Sequence, residues 1–108
     1  MQTLQPLQKP STLTKELVVQ NRSGIHARVS MMIAQRCKDF SSDVRLRNGR
    51  AVADCRSVLD LLSLGASNGT TLLLEVSGDD AEEVIEVISY LFAIRFNEDD
   101  ESTVHIRE

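Results

Sequence analysis

Apolar residues in this chain recur at two different periods, and each period predicts a different kind of element. Leu17-Val18-Val19 is a short β-branched run, ended by Asn21-Arg22-Ser23-Gly24, and it reads as a first strand with its turn. From Ala27 onward Val29, Ile33, Cys37 and Phe40 recur at spacings of four, four and three residues. That spacing traces one face of a helix, closed by Phe40-Ser41-Ser42. Val44 and Leu46 then alternate with Asp43, Arg45 and Arg47 up to Asn48-Gly49. This is a hairpin signal, and it predicts a partner strand over about Arg50 to Ala53 with Val52 as its clearest apolar position.

Ser57-Val58-Leu59-Asp60 has the form of a capping box, with Asp60 in place of the usual Glu or Gln. It opens a short helix, Val58 to Ser63, that stops before Gly65. Thr71-Leu72-Leu73-Leu74-Glu75-Val76 is a continuous apolar run whose length suits a central strand, placed at Thr70 to Val76. Asp80 and Glu83 repeat the capping signature after Gly78. Ala81, Val84, Ile85, Ile88, Leu91 and Phe92 follow as the buried stripe of the longest helix.

The order β-α-β-β-α-β-α, without internal repeats, predicts an α+β open-faced sandwich: one sheet with three helices on one face. A chain of 108 residues forms one domain. Residues 1–16, rich in Gln, Thr and Pro and without period, read as a flexible leader, and 17–97 as the folded domain. Residues 98–108, opening on Glu98-Asp99-Asp100-Glu101, read as a frayed acidic tail. No apolar run approaches the roughly 18 residues that span a bilayer, and the N-terminus is polar. A cytoplasmic protein without membrane insertion is therefore expected.

The net charge of −4 conceals an asymmetry. Residues 17–57 carry eight Lys/Arg against three Asp/Glu, whereas 58–108 carry two against twelve. The split favours an anionic ligand or acidic partner at the basic end through steering, although most of these charges taken singly are ordinary solvated side chains. Nucleic-acid binding is disfavoured, because four aromatic residues offer few stacking platforms and the overall charge is negative. Cys37 and Cys55 form no CxxC pair and have no zinc-ligand spacing, so they are expected as reduced, partly buried thiols.

Candidate chemistry sits in Gly24-Ile25-His26-Ala27-Arg28, where a histidine stands between a glycine turn and a helix start. The first N–H groups of a helix lack intrahelical partners, and the dipole adds partial positive charge, so an anion is stabilised there. A neutral imidazole is nucleophilic near pH 7, which makes His26 a candidate phosphoryl acceptor. His105, in the charged tail, receives no functional reading.

Two motifs together carry a resemblance. Ser23-Gly24-Ile25-His26-Ala27-Arg28, then Arg56-Ser57-Val58-Leu59-Asp60-Leu61-Leu62-Ser63-Leu64-Gly65-Ala66, Asn68-Gly69 and Ser77-Gly78-Asp79-Asp80-Ala81, resemble the HPr family, the histidine-containing phosphocarriers of the bacterial phosphotransferase system. The likeness runs from about Leu17 to Phe96. It implies an antiparallel sheet in the order 1-4-2-3 covered by three helices. It also implies a relay in which Enzyme I, charged by phosphoenolpyruvate, phosphorylates His26 on Nδ1, and the group passes to a sugar-specific Enzyme IIA. The protein would be a carrier rather than a free-standing enzyme, and no cofactor or metal is expected.

By the same resemblance Arg28 neutralises the phosphoryl oxygens, and the N–H groups of Ala27 and Arg28 cradle them. Taken alone, Arg28 reads more readily as a surface arginine. Ser57 matches the position where some members are phosphorylated by HPr kinase/phosphorylase, yet its capping role explains the residue without a kinase. Ile25, Arg56, Val58, Leu59 and Leu62 fall in the implied docking surface, some of them also packing against the core. An alternative is a regulatory HPr-like protein, in which phosphorylation at His26 or Ser57 controls kinases or transcription factors without sugar transport. Three departures from the family's usual pattern bear on partner choice: Val29 stands where proline is usual after the arginine, Ser23 where asparagine is common, and Asp60 adds a negative charge to the docking helix.

Overall fold

A computed structural model describes residues 12–98. The strands are β1 (Thr12–Val18), β2 (Asp43–Asn48), β3 (Ala51–Asp54) and β4 (Thr71–Ser77), and the helices are α1 (Ala27–Cys37), α2 (Val58–Ser63) and α3 (Ala81–Ala93). All pairings are antiparallel in the order β1-β4-β2-β3. This is the α+β open-faced sandwich with the 1-4-2-3 sheet, and the helices cover one face.

The sheet's inner face is built from cross-strand apolar pairs. Leu17 faces Leu72, while Leu74 and Val76 of the central strand face Leu46 and Val44. Five of these six are wholly inaccessible and Leu17 nearly so. Against them α1 lays Val29, Ile33 and Cys37, α2 lays Leu61, and α3 lays Val84, Ile88, Leu91 and Phe92. The outer face is polar, carrying for example the Arg47–Glu75 ion pair at 2.9 Å.

Several expectations are corrected. Strand β1 begins at Thr12 rather than Leu17, inside the segment expected as a leader, because Thr12 to Glu16 pair in register with Ser77 to Leu73. An edge strand buries few side chains, so its residues stay polar and give a weak signal. In β3 the inward residue is Ala53, fully buried, while Val52 is 40% exposed. The two-residue turn at Gly49-Arg50 pairs Asn48 with Ala51, and that register puts Ala53 opposite Leu46 and Val52 opposite Arg47. Gly49, with φ +62°, takes the left-handed position of this turn.

Asp80 stands at the start of α3 but caps nothing with its side chain. Its carboxylate instead accepts hydrogen bonds from the Ser41 N–H at 2.9 Å, the Ser42 N–H at 3.0 Å and both hydroxyls, tying the α1–β2 loop to α3. These bonds, the Ser42 hydroxyl first, hold the Asp80 pKa below the usual carboxylate range.

The chain after α3 turns sharply. Arg95, Phe96 and Asn97 have φ of +55°, +52° and +63°, a left-handed run that L-residues rarely adopt. Phe96 anchors it: the ring is fully buried and meets Phe92 edge to face, with centroids 5.0 Å apart. The turn delivers Glu98 to the N-terminal end of α1. Glu98 was expected in a frayed tail, whereas here it is held by a network of bonds. The rest of the acidic run, 99–101, and His105 lie outside the described residues.

Both thiols are free and fully buried, more deeply than expected. They hydrogen-bond to each other, a contact that lowers the pKa of Cys37 and raises that of Cys55. Among the described residues no helix is long and apolar enough to cross a membrane.

Candidate phosphoryl-acceptor site

The local backbone explains why a histidine stands at this helix start. His26 is the N-cap of α1, in extended conformation, and its carbonyl accepts the first helical bond from the Ser30 N–H at 2.9 Å. Most N-caps use a side-chain oxygen to hold a first-turn N–H. The imidazole makes no such bond, so the ring is left for other work and is 34% exposed. Ala27 and Arg28 open α1, where backbone N–H groups have no intrahelical acceptor. No acidic residue occupies that turn.

The turn before His26 is held by the second sequence motif. Ile25 donates its N–H to the Ala66 carbonyl at 3.0 Å, and Asn68 Nδ2 reaches the carbonyls of Gln20 and Asn21 at 3.1 and 3.2 Å. Val19 and Gly69–Thr70 exchange two further backbone bonds. Gly24, at φ +70°, lies so close that a Cβ would meet the Ala66 oxygen at 2.6 Å. The two motifs thus meet in space as one braced loop pair.

Asn21 and Glu98 complete the site, and neither was marked as functional from sequence. Asn21 is wholly buried and donates Nδ2 to the Gly24 carbonyl at 2.7 Å and to Glu98 Oε1 at 2.8 Å. The same oxygen accepts the Ser23 N–H at 3.1 Å. The other carboxylate oxygen lies 3.6 Å from His26 Nε2. Burial works to raise the Glu98 pKa. Hydrogen bonds from the Ser23 hydroxyl, the Asn21 amide and the Ser23 N–H, with attraction to a charged His26, outweigh it and bring the pKa down to about 2. Asn21 read as a turn residue. Glu98 lay in an acidic run without period, so no local signal pointed to it.

Arg28 reaches the turn after α3. Its guanidinium donates to the Phe96 carbonyl at 3.3 Å and lies 3.5 Å from Met32 Sδ, bracing the left-handed turn. Ser57 caps α2 as read, accepting the Asp60 N–H at 3.1 Å. The capping box is not reciprocal, because Asp60 Oδ2 accepts the Asp54 N–H at 3.0 Å instead.

The expected docking residues divide. Ile25 is buried, and Val58 is half-buried. Arg56 is exposed but spends its guanidinium on the Cys37 and Phe40 carbonyls, at 3.1 and 2.6 Å, closing the end of α1. Leu59 and Leu62 face solvent at 75% and 39% exposure. Met31, on the neighbouring α1, is 49% exposed and was not singled out from sequence.

Comparison with known proteins matches residues 13–93 to the family model described as the PTS HPr component phosphorylation site. The chain is similar to phosphocarrier protein HPr of Xylella fastidiosa, 33% identical over 87 residues, covering 81% of this chain and 98% of that protein. It is also similar to phosphocarrier protein NPr of Proteus mirabilis, 37% identical over 89 residues, covering 82% and 99%. Among solved structures, HPr from Thermoanaerobacter tengcongensis superposes with a TM-score of 0.76 at 29% identity, covering 80% of this chain and 97% of that one.

Proposed function

Because the chain belongs to the HPr family of phosphotransferase-system phosphocarriers, we propose that His26 is the residue that carries the phosphoryl group, accepting it from Enzyme I and passing it to an Enzyme IIA. The observation that carries this reading is the imidazole at the N-cap of α1, freed from capping and partly exposed at the electropositive start of the helix. The Nδ1 lone pair attacks phosphorus, the donor's bond to phosphorus breaks, and the new Nδ1–P bond forms. The electropositive helix start stabilises the added negative charge. Arg28, one residue into the helix, exchanges the Phe96 carbonyl for a phosphoryl oxygen. Val29 packs its side chain in the core, and its standing in place of proline bears on the rigidity of the first helical turn rather than on the ring.

Leu59, Leu62 and Met31 supply apolar contact for transient partners, and the basic half of the chain steers their approach. Work with cytoplasmic partners is part of the same proposal. Incubation with Enzyme I and labelled phosphoenolpyruvate tests it. Acid-labile label is expected on the wild-type protein and none on His26→Ala. Acid-stable label, or label that survives in His26→Ala, overturns the reading.

Similarity to proteins named HPr and to proteins named NPr alike favours keeping a second reading, in which phosphorylation at His26, or at Ser57 by HPr kinase/phosphorylase, is read by kinases or transcription factors rather than passed to a sugar. Transfer from charged protein to the host's sugar-specific Enzyme IIA separates the two. Charging without any onward transfer supports the regulatory reading.

A further inference from the structure

The Glu98 carboxylate lies against the ring nitrogen that is not the acceptor. It is also firmly placed: Oε1 is fixed by Asn21 Nδ2 and the Ser23 N–H, Asn21 is itself wholly buried, and Phe96 anchors the turn that brings the segment in. Only 12% of the Glu98 side chain is exposed, against 34% for His26, so the pair meets in a partly desolvated setting. Among the described residues, the other charged groups on segments meeting there are Arg22 in the turn, Arg28 on α1 and Arg95 in the left-handed turn. From α2, Asp60 is engaged with the Asp54 N–H.

We propose that Glu98 is a positioning residue that governs how readily phosphorylated His26 gives up its phosphoryl group, by stabilising the ring in its Nε2-protonated form. This rests on the reading of His26 as acceptor at Nδ1. With phosphorus on Nδ1, a proton on Nε2 makes the ring an imidazolium, and the carboxylate 3.6 Å away favours that charge. On transfer the Nδ1–P bond breaks and its electron pair returns to Nδ1. A bond from phosphorus to the acceptor atom forms, and the ring leaves as neutral imidazole with Nε2–H retained. Without that proton the leaving group is an imidazolate anion, a far poorer one. When water is the acceptor, its oxygen bonds phosphorus and its proton passes to phosphate or solvent.

Glu98→Gln is the informative variant, because an amide oxygen still accepts from Asn21 and Ser23 while the negative charge beside Nε2 is removed. The full chain is charged with potassium phosphoramidate, which needs no partner protein, and loss of phosphohistidine is followed by ³¹P NMR across pH. In Glu98→Gln the acid acceleration of hydrolysis is expected about one pH unit lower than in wild type, so the charged form persists up to about tenfold longer at a given pH on that limb. The same change in Glu86→Gln, on the exposed face of α3, leaves the profile in place. Coincident wild-type and Glu98→Gln profiles, or an equal shift in Glu86→Gln, each overturn the proposal. If phosphoramidate charges His26 while Enzyme I does not, the phosphocarrier reading falls, and the pH profile still decides the role of Glu98.

Discussion

Two carboxylates, Asp80 and Glu98, clamp loops at opposite ends of α1, and they do so with nearly the same set of donors. Asp80 gathers two backbone N–H groups and two hydroxyls from Ser41 and Ser42. Glu98 gathers the Ser23 N–H, the Ser23 hydroxyl and the Asn21 amide, and adds the His26 ring as a further neighbour. The first clamp joins elements already adjacent through the sheet, and its partners carry no reactive group. The second is reached through three left-handed residues and sets a negative charge beside an exposed imidazole. Equivalent bonding therefore serves architecture at one end and places a negative charge beside a partly exposed imidazole at the other.

The strongest way to break this comparison is to remove the anchor of the Glu98 clamp. Phe96→Ala empties a fully buried ring site and is expected to cost about 3 kcal/mol or more in urea denaturation. It also releases Glu98, so the phosphohydrolysis profile moves with stability, whereas Asp80→Ala lowers stability and leaves that profile unchanged. Gly24→Ala acts on the backbone of the site itself, forcing a Cβ toward the Ala66 oxygen at a left-handed φ. A loss of about 2 kcal/mol is expected, with slower charging by Enzyme I, measured by denaturation and label uptake.

Acid separates the Glu98 clamp from the rest more gently. Its pKa is lowered from 4.5 to about 2 in the fold, so the stability it contributes is present above about pH 4.5 and is lost as pH falls toward 2. Asn21 side-chain amide resonances are expected to shift through that window before global unfolding. The smallest structural effect is at Leu59, 75% exposed: Leu59→Asp should change stability by no more than about 0.5 kcal/mol. Its effect should fall on the Enzyme I encounter, read as a raised half-saturation concentration.

Local pattern sufficed where burial is decided within one element. Helix α1, the Ser57 cap and the stripe of α3 were readable because apolar residues and capping groups lie at fixed spacings on the chain. The misreadings all involve partners outside the element itself. Thr12 to Glu16 look disordered until β4 is beside them, and Val52 looks like the core residue until pairing with β2 turns Ala53 inward. Asp80 matched a cap, but the Ser41–Ser42 loop offered it better donors. For the site, His26 was legible and its surroundings were not. Asn21 and Glu98 are separated by 77 positions and meet only because a left-handed turn folds the chain back.

That turn has a kinetic consequence. Three residues held in a backbone region they would leave if released give the segment after α3 a lower opening free energy than the sheet, with one buried phenyl ring opposing its departure. The Ser23 N–H, whose acceptor is the Glu98 carboxylate, should therefore exchange with solvent deuterium sooner than the amides of β4.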